Sequence, residues 1–261
     1  MSTPRTVVAD SHPADTAAEP LVSFVDTGMT FDGGTTALTG VTFDVTPGEF
    51  ISVVGPSGCG KSTLLRLASG LESATEGTMT TSTDRIAYVF QDATLLPWRS
   101  VRDNVMLLGE LDRLPKEERE RRCAEALETV GLTGFEDHLP HQLSGGMKMR
   151  VSLARALTIE PQLFLFDEPF AALDEITRER LGVDLTQLFA EKQFGGLFIT
   201  HSVSEAVFVS TRVTVMSGRP GTVVDVVDVP FAFPRSPELR FTPEFTAIAE
   251  RVSRSLTAAH K

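Results

Sequence analysis

The chain has 261 residues, of which 41% are apolar and 23% charged, and its formal net charge is −11. This length fits one large domain or two closely packed domains with a substantial core. Because no basic stripe offsets the acidic balance, the composition argues against nucleic acid as the main partner. Two cysteines are too few for a disulfide framework, and no apolar run approaches the roughly 18 residues of a membrane span. The N-terminus lacks the core of a signal peptide, so we expect the chain to stay in the cytoplasm.

The N-terminal part of the chain predicts a tail followed by short strands. Residues 1–20 are rich in Ala, Asp, Pro and Thr, and we expect a disordered tail because they offer little to bury. Residues 21–25 and 41–45 are short segments of alternating polarity with turn signals at residues 32–34 and 47–48, which predicts a small antiparallel sheet. Apolar runs predict strands at residues 50–54 and 85–90. A helix is predicted between them at residues 62–69, and Gly70 ends it.

Helical periodicity then dominates up to Ala156. Ser100 with Asp103 marks a helix start, and further helices are predicted at residues 115–130 and about 145–157. Strands are predicted at residues 163–166, 197–200, 212–216 and 222–229, with helices at residues 175–192 and about 243–256. This alternation predicts an α/β fold, a three-layer core with a largely parallel sheet. An antiparallel β subdomain precedes the core, and a helical subdomain is inserted at about residues 95–158.

The stretch between the strand at residues 50–54 and the helix at residues 62–69 fits the pattern G-x-x-x-x-G-K-[ST] at every fixed position, which predicts a P-loop NTPase core. Its glycines let backbone N–H groups turn inward as a nest for phosphate oxygens at a helix N-terminus. Lys61 brings a charge to the terminal phosphates, and the hydroxyl of Ser62 can ligate Mg²⁺. The alternative is a glycine-rich turn that happens to precede Lys-Ser, which the flanking strand and helix disfavour. The predicted nucleotide-binding residues here are Gly55, Pro56, Ser57, Gly58, Cys59, Gly60, Lys61, Ser62 and Thr63.

Two carboxylates, Asp167 and Glu168, directly follow the apolar run at residues 163–166. On a central parallel strand they emerge at the carboxyl end, where such sheets bind ligands. Asp167 is predicted to hold Mg²⁺ beside Ser62, directly or through water. Glu168 is predicted to act as the general base toward the attacking water, a role typically worth about 10²–10⁴ in rate. Alone, two acids after a strand indicate a solvated loop; the upstream phosphate loop favours the functional interpretation.

A second candidate anion site lies at Ser144, Gly145 and Gly146, which precede a strong helix pattern. A hydroxyl and flexible glycine N–H groups at the positive end of a helix repeat the chemistry of the phosphate loop. One nucleotide does not need two such sites unless the second serves a neighbouring chain. The structural alternative is a Ser N-cap with glycines for a tight entry into the helix, and the sequence leaves both open.

The phosphate loop, the second candidate anion site and the pair of carboxylates follow one another along the chain in this order. In this respect the chain resembles the nucleotide-binding subunits of ATP-binding-cassette (ABC) transporters over about residues 21–220. Residues 143–147 match the family signature, which implies a head-to-tail dimer with two ATP molecules between the phosphate loop of one chain and the signature of the other. Gln91 matches the glutamine that contacts Mg²⁺ and the attacking water, and residues 171–174 match the loop that crosses between the two sites. His201 matches the histidine that hydrogen-bonds the γ-phosphate. Phe31 lies where the family stacks an aromatic ring on adenine, although it equally fits the core of the small sheet.

The resemblance implies ATP and Mg²⁺ as cofactors, and a homodimer or paired cassette as the working form. Residues 95–98 and 219–221 are similar to those of nitrate, sulfonate and taurine importer ATPases. Those proteins pair with integral membrane permease subunits and a solute-binding protein, which implies a peripheral location at the cytoplasmic face of the plasma membrane. The loop at residues 92–99 is unusually apolar, because it contains Leu95, Leu96 and Trp98, and it is predicted to receive a helix from a membrane subunit. The alternative is that Leu95 and Leu96 anchor the core of the insertion and Trp98 caps it.

The expected organisation is a tail (1–20), an ABC ATPase domain (21–221) and a C-terminal strand with an extension (222–261). The alternative function is a soluble ABC ATPase without transport, although the chain lacks the doubled cassettes, coiled coils and zinc sites of such proteins. A metabolic P-loop kinase would not explain residues 143–147 or 171–174. Met149 stands where the family commonly has Gln, and this departure removes a polar group near the expected dimer interface.

Overall fold

The computed structural model describes residues 19–259, so the predicted tail lies outside the described residues apart from Glu19 and Pro20. In this part of the chain the strands are β1 (Val22–Thr30), β2 (Thr36–Val45), β3 (Phe50–Val54), β4 (Glu76–Thr81), β5 (Ile86–Val89), β6 (Leu163–Asp167), β7 (Gly195–Ile199), β8 (Arg212–Met216) and β9 (Val223–Asp228). The helices are α1 (Lys61–Ala68), α2 (Val101–Leu111), α3 (Lys116–Thr129), α4 (Gly145–Leu157), α5 (Glu175–Lys192), α6 (Val203–Val209) and α7 (Pro243–Ala258). None of the helices in the described part is long and apolar enough to cross a membrane.

The central sheet has six strands in the order β5-β6-β7-β3-β8-β9. The first five run parallel, and β9 pairs antiparallel with β8 at the edge. Strands covered on both faces are expected to be continuous apolar runs, and all five residues of β3 are buried. The carboxyl ends of β5, β6, β7 and β3 lie side by side at one edge, where open α/β sheets bind ligands.

One face of the central sheet is covered by α1 and by a second, three-stranded antiparallel sheet in the order β2-β1-β4. Val22 pairs with Val45 and Phe24 with Phe43, so alternate residues of β1 point into the core. Phe24, Leu38 and Ile51 are fully buried there. The predicted antiparallel sheet is present, with longer strands than expected and with β4 as a third strand that the sequence did not predict.

The opposite face is covered by α5, α6 and α7, together with the C-terminal half of α4. Phe50 of β3 is the centre of an aromatic cluster: its ring centroid lies 5.7 Å from that of Phe166, 5.4 Å from that of Phe189 and 6.0 Å from that of Phe198. Burying each such ring stabilises the fold by about 1.5–3 kcal/mol. The three predicted layers, two outer ones around a largely parallel sheet, are therefore present.

The helices α2, α3 and α4 pack around a core of their own, in which Val105, Leu127 and Val151 are buried. Ser100 caps α2 as predicted, because its Oγ accepts a hydrogen bond from the N–H of Asp103 at 3.1 Å. The predicted helix at residues 115–130 is α3, and the helix predicted at about residues 145–157 has the bounds of α4.

Candidate nucleotide site

The phosphate loop lies between β3 and α1, with α1 starting at Lys61. Gly60 has φ +104° at the N-cap of α1, and a Cβ there would lie 2.7 Å from the carbonyl oxygen of Ala37. Only glycine combines this backbone conformation with so close an approach. The local sequence therefore turns the chain sharply into the helix, which leaves the first N–H groups of α1 facing the turn.

Lys61 is buried, with 6% of its surface exposed, although it carries a charge. Its Nζ donates hydrogen bonds to the carbonyl oxygens of Gly55 at 2.9 Å and Pro56 at 3.0 Å. An ammonium group has three N–H donors, so one remains for a phosphate oxygen. Cys59 is 1% exposed, and burial raises the pKa of its thiol despite the nearby Lys61. The thiol is thus a neutral, buried side chain that fills space in the core.

Ser62 and Asp167 meet at the carboxyl end of the sheet. Ser62 Oγ donates a hydrogen bond to Asp167 Oδ1 at 3.0 Å, and Tyr88 Oη donates to Asp167 Oδ2 at 3.2 Å. Burial and the neighbouring Asp167 raise the pKa of Tyr88, so its hydroxyl keeps its proton. The sequence did not predict Tyr88 as a site residue; its position on β5, three residues before Gln91, was the available signal.

Glu168 and His201 lie against each other one residue beyond β6 and two residues beyond β7. His201 Nδ1 is 3.2 Å from Glu168 Oε2. Glu168 has φ +46°, and its N–H donates to the carbonyl oxygen of Ile199 at 3.0 Å, which ties the residue to the end of β7. A positive φ at a non-glycine residue is uncommon and occurs at functional sites. The predicted base and the predicted γ-phosphate ligand are therefore brought together, while their roles remain predictions.

Gln91 lies in a cleft of about 750 Å³ that is also lined by Ser62, Asp167, Glu168 and Gly145. The segment after β5 forms one wall of this cleft, and the start of α4 forms another. The cleft therefore lies between Ser62, the two carboxylates and Gly145 at the start of α4.

Ser144 and Gly145 are exposed at the N-terminus of α4, whereas Gly146 is buried against Thr177. Ser144 Oγ accepts a hydrogen bond from the N–H of Met147 at 3.3 Å, so the N-cap alternative from the sequence is realised. This bond uses an oxygen lone pair and leaves the hydroxyl proton free to donate to an anion. The two interpretations of Ser144 are therefore compatible.

Met149 is buried and lines a small cavity together with Val89 and Phe166. The methionine that stands here in place of glutamine is therefore a core side chain.

Phe31 lines a second pocket of about 260 Å³, next to the phosphate loop. Lys61, Ser62 and Thr63 of the loop line the same pocket, and so does Arg219. Phe31 is also partly buried against the core of the small sheet. Its position is therefore compatible with both predictions, a core residue of that sheet and a ring that stacks on adenine. Arg219 thus lines the site, whereas the sequence identifies it only as part of the motif at residues 219–221.

The donors at the phosphate loop fit Mg²⁺. Ser62 and Asp167 offer hydroxyl and carboxylate oxygens, the hard ligands that Mg²⁺ prefers. Within residues 19–259 there is no group of three or more His, Cys, Asp or Glu side chains that could hold a metal by themselves. Such a sparse protein ligand set is typical of Mg²⁺ sites that are completed by substrate phosphates and water.

Comparison with known proteins identifies relatives of this chain. The sequence profile described as "ABC transporter" matches residues 38–171. An aliphatic sulfonates import ATP-binding protein from Pseudomonas syringae pv. syringae is 41% identical over 227 residues, which cover 87% of this chain and 92% of that protein. A nitrate import ATP-binding protein from Synechococcus elongatus is 43% identical over 225 residues, covering 81% and 82%. A solved dimeric ATP-binding cassette in a post-hydrolysis state, bound to ADP and Pi, has a TM-score of 0.70 and 31% identity, covering 81% of this chain and 100% of that one.

The glycine loop with its buried lysine, and the Asp–Glu pair at the neighbouring strand end, define a P-loop nucleoside triphosphatase. Within that class the chain belongs to the ABC transporter family, which confirms the resemblance drawn from the motifs. The family and the site together make the chain an ATPase.

Proposed function

We propose that this chain is the ATP-hydrolysing subunit of an importer that takes up a small anionic solute of the nitrate or sulfonate kind. Relatives named as nitrate and aliphatic sulfonates import ATP-binding proteins support this, at 43% and 41% identity over most of the chain. In this proposal the chain works as a pair of cassettes on integral membrane permease subunits, peripherally at the cytoplasmic face, with a solute-binding protein supplying the cargo.

Each site residue has a role that follows from its position. Lys61 and the loop N–H groups bind the β- and γ-phosphates of ATP. Ser62, Asp167 and Gln91 would hold Mg²⁺, which would neutralise part of the phosphate charge when bound. Glu168 accepts the proton of the attacking water, and His201 donates to the γ-phosphate.

The observation that carries the proposal is the exposure of Ser144 and Gly145 at the start of α4. A helix N-terminus with free N–H groups and a hydroxyl is a ready anion site, and here it faces outward. A second cassette can therefore present its ATP to this surface. ATP would then join the two chains while its γ-phosphate is intact, and hydrolysis would release them, so that a local charge change switches the association.

We further propose that the helical insertion, at about residues 95–158, passes this movement to the permease through the segment at residues 95–98. Asn104 is fully buried and holds this segment: its side chain accepts from the N–H of Leu96 at 2.8 Å and donates to the carbonyl oxygen of Leu96 at 3.1 Å. Leu95 is partly buried against the insertion's core, as the alternative predicted, but Trp98 is 74% exposed and caps nothing. An exposed aromatic ring on a fixed loop is typical of a docking anchor.

The test is uptake of labelled nitrate and of a labelled sulfonate by cells whose own copy of the gene is replaced by a variant. We expect Trp98→Ala to lose most uptake relative to the ATPase rate of the purified chain. Leu71→Ala is the matched control, since Leu71 is an exposed apolar residue (68%) away from this segment. We also expect Glu168→Gln to abolish uptake. Unchanged uptake of both solutes in the Glu168→Gln strain would refute the importer and favour a soluble ATPase without transport.

A further inference from the structure

The loop at residues 217–221, between β8 and β9, is built into the phosphate site. The N–H of Gly221 donates to the carbonyl oxygen of Ala37 at 2.8 Å, and the N–H of Thr39 donates to the carbonyl oxygen of Gly221 at 3.1 Å. A Cβ at Gly221 would lie 2.1 Å from the carbonyl oxygen of Cys59. This loop is therefore clamped between β2 and the phosphate loop, and its position is fixed relative to both.

Arg219 reaches from this loop onto the phosphate loop. Its Nε and Nη2 both donate to the carbonyl oxygen of Gly58, at 3.0 Å and 2.8 Å. Gly58 has φ +74°, so the guanidinium holds the loop at one of its two glycines with positive φ. The remaining nitrogen, Nη1, makes no hydrogen bond to any residue of the described part of the chain, and the side chain is exposed.

The surroundings of Arg219 specify what its free N–H groups can meet. Arg219 lines the same pocket as Phe31, Lys61 and Ser62. If the base stacks on Phe31 and the phosphates lie at Lys61 and Ser62, the sugar must lie between them, along the wall that contains Arg219. Sugar oxygens are hydrogen-bond acceptors, and a guanidinium offers donors in a fixed fork.

We infer that Arg219 is a nucleotide-binding residue with two tasks: it braces the phosphate loop through the carbonyl of Gly58, and it donates from Nη1 to the sugar of the bound nucleotide. The inference rests on the ATPase site but not on import, because its test needs only the purified chain and no uptake.

The test separates the two tasks by calorimetric binding of ATP and of inorganic tripolyphosphate, without Mg²⁺ so that nothing is hydrolysed. Tripolyphosphate has the phosphates but no sugar. Arg219→Lys keeps a charge that can hold the Gly58 carbonyl but lacks the second nitrogen. We expect this variant to bind ATP about ten-fold more weakly, as for the loss of one hydrogen bond to a charged group, and to bind tripolyphosphate like the wild type.

Arg219→Met removes both tasks, so we expect it to weaken both ligands, with a loss for ATP that exceeds the loss for tripolyphosphate by about ten-fold. Arg254→Met is the matched control: it removes one exposed arginine that does not line the pocket, and both affinities should be unchanged. Thermal unfolding of each variant checks that it is folded. Equal losses for the two ligands in either Arg219 variant, or no loss for ATP, would overturn the inference.

Discussion

Arg235 is a buried cation whose removal should lower the stability of the fold. It is 3% exposed, and its guanidinium donates to the carbonyl oxygens of Val207 and Phe208 (both 2.8 Å), Ser210 (2.7 Å) and Phe231 (3.1 Å). The first two carbonyls lie in the last turn of α6, where the helix offers them no N–H partner. Arg235 therefore replaces the missing donors at this helix end, and we predict that Arg235→Met destabilises the fold.

The size of the stability loss follows from the carbonyl groups that the substitution leaves without a hydrogen-bond donor. Each buried carbonyl left without a donor costs about 1–3 kcal/mol, and four are affected. Part of this is offset because methionine has no charge to bury; burial is what lowers the pKa of Arg235 to about 9. The net loss should be about 3–5 kcal/mol, the range for breaking a buried charged network, and a large share of a typical stability of about 5–15 kcal/mol.

Urea unfolding of the purified chain measures this loss from the transition midpoint and slope. Arg251→Met is the control, because Arg251 is an exposed arginine paired with Asp225 at 3.2 Å and should contribute no more than about 1 kcal/mol. The folded-state pKa of Arg235 is below the unfolded one, so its burial penalty is fully present below pH 9 and shrinks only above it. The loss should therefore be equal at about pH 6 and about pH 8. A loss as small as that of Arg251→Met would refute the reasoning.

Three further predictions concern the site. Glu168→Gln keeps the size of the side chain but removes the base, so we expect phosphate release to fall by about 10²–10⁴ while ATP stays bound and the dimer persists in gel filtration; near-normal turnover would remove Glu168 from this role. Gly145→Trp places a ring on the exposed start of α4 and should abolish hydrolysis while the monomer still binds ATP in calorimetry; lost ATP binding would mean that this helix end serves its own chain. Tyr88→Phe removes a hydrogen-bond donor to Asp167, so half-maximal hydrolysis should need about ten-fold more Mg²⁺. The affinity for nucleotide measured in the presence of a metal chelator should be unchanged, and an unaltered Mg²⁺ titration would contradict this prediction.

The sequence predicted most closely those elements whose signals are local. The helix at residues 175–192 and the strand at residues 212–216 have the predicted bounds, because caps and continuous apolar runs mark their ends. The strands β1 and β2 were predicted too short, since Asp26 and Gly40 have positive φ and interrupt the alternation. The strand β4 was missed altogether: its sequence is polar, and only its pairing with β1 makes it a strand.

Contacts within the site depend on pairs far apart in the chain, which no local pattern can place. Ser62 and Asp167 are separated by 105 residues, and Gly58 and Arg219 by 161. The motif pattern predicted the first pair because both residues belong to a known arrangement at neighbouring strand ends. Arg219 was recognised only as part of a short motif, since its function depends on where the clamped loop at residues 217–221 places the guanidinium.

Contacts through α6 connect the C-terminal extension to the edge of the sheet that carries His201. His201 leads directly into α6, which Ser202 caps by accepting a hydrogen bond from the N–H of Glu205 at 3.3 Å. Thr200 Oγ1 also donates to Glu205 at 2.6 Å, so both residues flanking His201 are tied to the first turn of α6. Arg235, from the extension, holds the other end of this seven-residue helix. The helix that follows His201 is therefore held at its first turn by Thr200 and Ser202, and at its other end by a residue beyond 221.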